Sequence, residues 1–252
     1  MRGTGLVLAT CLCATAAPAT ADPATGRPVA VVELFTSQSC ANCPPADAFL
    51  AEMAADRELV TLSFPVDYWD WLGWKDTAAK PEFTRRQKSY AAARGDREVF
   101  TPQMVVNGRK QVVGSDRAAI RREISAGTAA AHRDLAVEVD LEATGDALVV
   151  RIADAPADWD GAQATVWLAR YDHRRTVPVG RGENNGRTLT YAHLVRSLQP
   201  IGMWKGRSVR IELPREGTAA DRDVGCAVLV QVEQGGLPGA IVGAQTCGGP
   251  AS

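Results

Sequence analysis

Cys40 and Cys43, separated by Ala41 and Asn42, have the spacing at which one thiol can attack a disulfide and the second can resolve the product. The first attacks only as a thiolate, so its surroundings must lower an ordinary thiol pKa of about 8.5. A helix N-terminus helps, because the aligned peptide dipoles place their positive end there. The flanking residues predict that position. Val29 to Phe35 reads as a buried strand, and Pro44 to Ala55 opens with two prolines and reads as a helix. Two features limit the effect. No cation stands between the cysteines, and Pro44 and Pro45 remove two N–H groups from the helix start. Cys40 is expected to be the more exposed, moderately acidified nucleophile, with Cys43 one turn further in as the resolving thiol.

Other residues could serve this chemistry. Glu33 lies on the strand leading into the pair. A carboxyl among apolar residues has a raised pKa and can carry the proton of the second cysteine; a Glu facing the surface or bonded to an arginine is the competing account. Tyr68, Trp69, Trp71 and Trp74 follow a second apolar strand, Val60 to Val66. They are candidates for a substrate groove that takes an extended peptide, against the blander account of packing beneath their own loop. Cys226 and Cys247 flank the turn Gln234 to Gly239, and the hairpin register that pairs them also pairs Val230 with Gly243. A structural disulfide is expected there. Gly182-Glu-Asn-Asn-Gly-Arg187 suits positive φ and reads as a turn that locks the two halves of the chain, with a binding role for Glu183, Asn184 or His193 as the alternative.

The N-terminus bears on where this chemistry would happen. Arg2 is the only early charge, Leu6 to Ala17 is apolar, and Ala19-Thr20-Ala21 fits a signal-peptide cleavage site. A lipid anchor on Cys11 or Cys13 is disfavoured, since Leu8-Ala-Thr10 fits a lipoprotein signal poorly. Removal of residues 1–21 from the 252 would leave 231 residues, four cysteines and a formal charge of -2 in place of -1. An even set of cysteines in an exported chain fits disulfides, and a periplasmic or secreted location is expected. The apolar run is too short to span a bilayer, and no later run reaches about 18 apolar residues. The near-neutral charge gives no strong field for nucleic acid or anionic lipid. No Ser-His-Asp arrangement, phosphate loop or HExxH motif is present, so no cofactor or metal is expected. Copper carriage by the two thiolates is a minor alternative, because His132, His173 and His193 all lie far along the chain.

The texture of the chain changes near His132, after an alanine-rich Thr128 to Ala131 linker. Before it, Pro81 to Arg94 reads as a helix with Pro at its start and Gly95 past its end. Asn107-Gly108 joins the strands Gln103 to Val106 and Lys110 to Val113, and Asp116 caps a helix to about Ala126. After it, seven short strands are expected at 135–141, 147–153, 164–171, 187–195, 208–213, 227–233 and 240–245.

The order strand, Cys-x-x-Cys helix, strand, helix, hairpin, helix resembles the thioredoxin fold. The resemblance implies an α/β thioredoxin-like domain over 28–131, followed by an all-β antiparallel, sandwich-like domain over 132–252. It also implies that Thr101-Pro102 is a cis bond lying against the cysteines, with the Thr101 backbone free to pair with an extended substrate. Longer segments carry a narrower resemblance: 33–40 (ELFTSQSC), 43–47 (CPPAD), 66–70 (VDYWD), 72–76 (LGWKD), 101–108 (TPQMVVNG) and 182–187 (GENNGR). In these the chain is similar to a secreted bacterial family catalogued as domain of unknown function 1223. The function expected is an exported thiol–disulfide oxidoreductase that acts on protein thiols or disulfides and is recycled by a redox partner. The alternative is a non-catalytic binding or scaffold protein with Cys40–Cys43 as a structural disulfide.

Overall fold

A computed structural model of the chain describes residues 26–128, 134–144, 146–214 and 223–247. The segment 1–21 expected to be a signal peptide, the 129–131 part of the linker and His132 lie outside the described residues. The strand β1 (Ala30–Thr36) runs into the cysteine turn and then α1 (Pro44–Met53), followed by β2 (Leu59–Pro65), a short helical turn Asp70–Leu72 and α2 (Pro81–Arg94). Then come β3 (Gln103–Val106), β4 (Lys110–Val113) and α3 (Arg117–Thr128). The remaining elements are all strands: β5 (Val139–Thr144), β6 (Ala147–Ile152), β7 (Ala164–Pro178), β8 (Thr188–Trp204), β9 (Val209–Pro214), β10 (Val224–Gln234) and β11 (Leu237–Thr246).

The expected division into a thioredoxin-like α/β domain and a separate sandwich is incorrect. The protein is mostly β, built on one mixed eight-stranded sheet in the order β11-β10-β7-β8-β2-β1-β3-β4, with a second sheet of three strands, β5-β6-β9. Strands from both sides of the expected boundary share the large sheet. The junction is β2 beside β8, parallel, with Ser63 opposite Leu194. The three-stranded sheet does pack face to face on β7, β10 and β11, through Val150, Ile152, Val166, Leu168, Val228 and Val230. Those covering contacts are therefore made to the same sheet that carries the cysteines.

Period-2 alternation sorts the two faces of β1. Val32 and Leu34 pack with Ala46, Phe49 and Leu50 of α1 and with Ile120 of α3. Val31 and Phe35 point the other way, into a core with Phe83 and Tyr90 of α2 and with Leu229 and Ile241 from the distal strands. The α1 buried face is Ala46, Asp47, Phe49, Leu50 and Met53, the spacing of one helical stripe. α2 has its Pro at the start and Gly95 in the left-handed region at its end, φ 76°, where a side chain would be strained.

β7 and β8 are far longer than the expected 164–171 and 187–195. They form a hairpin that extends past the sheet core, paired from Ala164 opposite Trp204 to Pro178 opposite Thr188, with register shifts after Val166 and after Arg170. Its far arm packs Val177, Val179, Leu189, Tyr191 and Leu194 around Trp74 and Ala78. This arm brings residues 179–187 to the cysteine turn.

Candidate functional site

The turn between β1 and α1 is held by its own backbone and by two neighbouring segments, the loop before α2 and the tip of the β7–β8 hairpin. The Cys40 N–H donates to Ser37 O (3.1 Å) and the Cys43 N–H to Cys40 O (3.2 Å). The Gln38 N–H donates to the Asp76 carboxylate at 2.7 Å, and the Ser39 hydroxyl donates to Trp74 O at 2.6 Å. From the hairpin tip, the Asn184 amide donates to both Gln38 O (2.9 Å) and Cys40 O (3.0 Å). The Ala41 N–H donates to the Glu183 carboxylate at 3.2 Å. The tip can do this because it is itself closed. Asn185, Gly186 and Arg187 donate their N–H groups to Gly182, Val179 and Asn184, and Gly182 and Gly186 take positive φ.

Cys40 and Cys43 form a disulfide with a Cα–Cα separation of 5.4 Å. Cys40 is 6% exposed and Cys43 fully buried, so an incoming sulfur meets Cys40 first. Cys43 is the N-cap of α1, with Pro44 and Pro45 as the first helical residues. The Thr101-Pro102 bond is cis. Pro102 sits against the first turn of α1: a Cβ on Gly114 would meet Pro102 Cβ at 2.9 Å and Ala46 Cβ at 3.1 Å, so the glycine is what lets the two come together.

The four aromatic residues divide. Trp69 donates its indole N–H to the Thr101 hydroxyl at 2.7 Å, and Tyr68 packs beside it, their rings 5.5 Å apart. Burial pushes the Tyr68 phenol up to about 12. Trp74 donates to the Gln38 side-chain oxygen at 2.8 Å and fills the hairpin cluster. Trp71, at 75% exposed, presents its ring to solvent.

Glu33 is fully buried on the α2 face of β1, opposite to the face that carries α1. Its carboxylate is held by Arg86 at 2.7 Å and by the Tyr90 hydroxyl at 2.5 Å, and Arg86 also donates to Gln231. It is turned away from the cysteines. The buried acid on their side is Asp47, four residues after Cys43 and on the same helix face. Its N–H donates to Cys43 O at 3.1 Å, and both carboxyl oxygens are buried with no hydrogen-bond partner among the described residues. Burial pushes the Asp47 carboxyl up to about 8; the Thr36 hydroxyl beside it, just outside hydrogen-bond geometry, offsets part of that, and Asp76 adds to it. The sequence held a signal for Asp47, namely its i+4 spacing from Cys43, but a first-turn acid on a helix is so common that it did not stand out.

Cys226 and Cys247 form the second disulfide, Cα–Cα 5.1 Å. The Cys247 N–H donates to Cys226 O at 2.8 Å, and Val230 pairs with Gly243, as the expected register requires. No group of three or more His, Cys, Asp or Glu among the described residues is placed to hold a metal ion, and no described helix is long and apolar enough to cross a membrane.

Comparison with known proteins adds the following. The family model for "Protein of unknown function (DUF1223)" matches residues 31–231. A crystallographically solved protein from Agrobacterium tumefaciens is 37% identical, covering 91% of this chain and 98% of that one, with a TM-score of 0.79. HBP35 of Porphyromonas gingivalis is similar in fold, at 15% identity and a TM-score of 0.58, covering 88% of this chain and 75% of that one. No curated protein matches the chain.

Proposed function

Because the chain belongs to the family described as Protein of unknown function (DUF1223), whose name assigns no activity, we propose one from the site itself: a thiol–disulfide oxidoreductase acting on protein thiols or disulfides. The observation that carries the proposal is the Cys40–Cys43 disulfide at the start of α1, with Cys40 the less buried of the two at 6% exposed and an unpaired buried carboxyl, Asp47, four residues on from Cys43.

In the reducing direction the dithiol form reacts. The Cys40 thiolate attacks one sulfur of a substrate disulfide, a Cys40–substrate bond forms, and the substrate S–S bond breaks to release a thiolate that takes up a proton. Asp47, ionised, accepts the proton of Cys43. The Cys43 thiolate then attacks Cys40, closing the internal disulfide and freeing the second substrate thiol. Two electrons pass to the substrate, and a partner dithiol must restore the pair. Oxidation of a substrate dithiol is the reverse sequence and needs a partner disulfide. Export to the periplasm or beyond belongs to the same proposal, and it suits a chain with a second, buried disulfide.

In the expected result, Cys43→Ser accumulates mixed disulfides through Cys40, while Cys40→Ser traps nothing and loses insulin-disulfide reduction. A second reading draws on the grip of Asn184 and Glu183 on the turn: the disulfide is structural and the protein a binding scaffold. A Cys40–Cys43 bond that resists mild dithiothreitol in the native protein would decide for that reading.

A further inference from the structure

The N–H groups around the cysteine turn can be accounted for one by one. Cys40 donates to Ser37 O, Cys43 to Cys40 O, and Ala46 and Asp47 both to Cys43 O. Pro44 and Pro45 have none. That leaves the N–H groups of Ala41 and Asn42 as the ones a Cys40 thiolate could draw on. The Ala41 N–H is taken by the carboxylate of Glu183, 142 residues away in sequence, at 3.2 Å. Asn42 alone has no acceptor among the described residues.

We propose that Glu183 is a positioning residue that sets the acidity of Cys40: it occupies the neighbouring peptide N–H and places a negative charge beside the sulfur. The inference rests on the oxidoreductase reading for its consequence. A thiolate is stabilised by N–H donors and by positive potential, and Glu183 removes one and opposes the other. The reduced form, which alone contains the thiolate, is thereby disfavoured, and the pair is made a weaker oxidant. The hairpin tip delivers this effect because Asn184, fully buried, fixes it to Gln38 and Cys40. Other charges face the turn from each element packed on it. Asp47 comes from α1, Asp76 from the loop before α2, and Arg187, bonded to Asn184 at 2.9 Å, from the tip itself. Glu183 is the one that touches the peptide next to the nucleophile, and it is exposed, so its field is open to salt.

The test titrates Cys40 by thiolate absorbance in a Cys43→Ser background, where it is free whatever the potential of the pair and no turnover is needed. Glu183→Ala is expected to lower its pKa by about one unit, raising the thiolate fraction about tenfold. Glu183→Gln, which keeps an acceptor without the charge, is expected to fall between. With Glu183 present the pKa should drop as salt is added, and with Ala it should not. With Cys43 restored, the equilibrium with glutathione should shift about tenfold toward the dithiol, about 30 mV in potential. Asn184→Ala, which frees the tip and Glu183 with it, is expected to lower the pKa in the same direction. An unchanged pKa in Glu183→Ala, or a Cys40 pKa that does not respond to salt while Glu183 is present, overturns the proposal. Failure of the oxidoreductase reading shows elsewhere, as the absence of mixed disulfides in the Cys43→Ser protein.

Discussion

Asp47 and Glu33 are both buried carboxyls, and their partners make them opposite cases. Glu33 has a guanidinium and a phenol; Asp47 has neither. Replacing Arg86 by Met would strand the Glu33 charge, and breaking a buried pair from one side costs about 3–5 kcal/mol. Urea unfolding should register that loss, and adding Glu33→Gln to the same protein should recover much of it. Asp47→Asn should leave folding intact and slow the release of the Cys40 mixed disulfide by roughly a hundredfold, at the low end of general-base effects. Its rate should also lose the inflection near pH 8 that the raised Asp47 carboxyl would give the parent. A parent and variant with the same pH–rate profile would remove Asp47 from the mechanism.

The hairpin tip is the element on which the site depends. Asn184→Ala leaves the Gln38 carbonyl without its donor and the Cys40 carbonyl with the Cys43 N–H alone. The expected cost is about 1–3 kcal/mol, with faster hydrogen exchange across residues 37–41 as the local readout. Sequence patterns reached some elements well and this one poorly, for physical reasons. Pro81 and Gly95 delimit α2, and Asn107-Gly108 fixes the β3–β4 turn, because those residues act through local backbone geometry. The β7–β8 extension was hidden, since Asp172 to Thr176 is a polar run that looks like loop. It holds as strand because its partners are across the hairpin, far along the chain, and because Val177, Val179 and Tyr191 find cover on Trp74. The 135–141 segment erred the other way. It alternates like a strand, but ladder pairing begins only at Val139, and the Val137 N–H donates to Val242 O instead. At the site, Cys40, Cys43 and Pro102 were legible from spacing and family resemblance. Asp47, Asn184 and the far side of Glu33 needed three dimensions.

At the scale of the whole molecule, the stability of the oxidised protein should carry two opposed pH dependences. His193 is half-buried at the β2–β8 junction, its Nδ1 2.8 Å from the Thr61 hydroxyl and 3.0 Å from Thr61 O. Burial lowers the His193 pKa from 6.5 to about 4. The unfolded chain then binds the extra proton, and stability is lost as pH falls from about 6.5 toward 4. Asp47 is raised from 3.8 to about 8, and Asp76 is raised by burial as well. For both the folded state binds the extra proton, so stability falls as pH rises above about 4, and for Asp47 it goes on falling to about 8. The two effects oppose each other below pH 6.5, and above it the carboxyl effect acts alone. Denaturant midpoints should therefore decline between pH 6.5 and 8, and decline less in Asp47→Asn. The shared eight-stranded sheet also predicts one cooperative transition, seen alike by tryptophan fluorescence and far-ultraviolet circular dichroism. The β2–β8 seam has a practical consequence. A fragment ending near residue 128 would contain every cysteine-turn residue, yet it would expose β2 as a bare edge strand and uncover the apolar side of β1. Such a piece should self-associate through that open rim rather than behave as a small soluble enzyme.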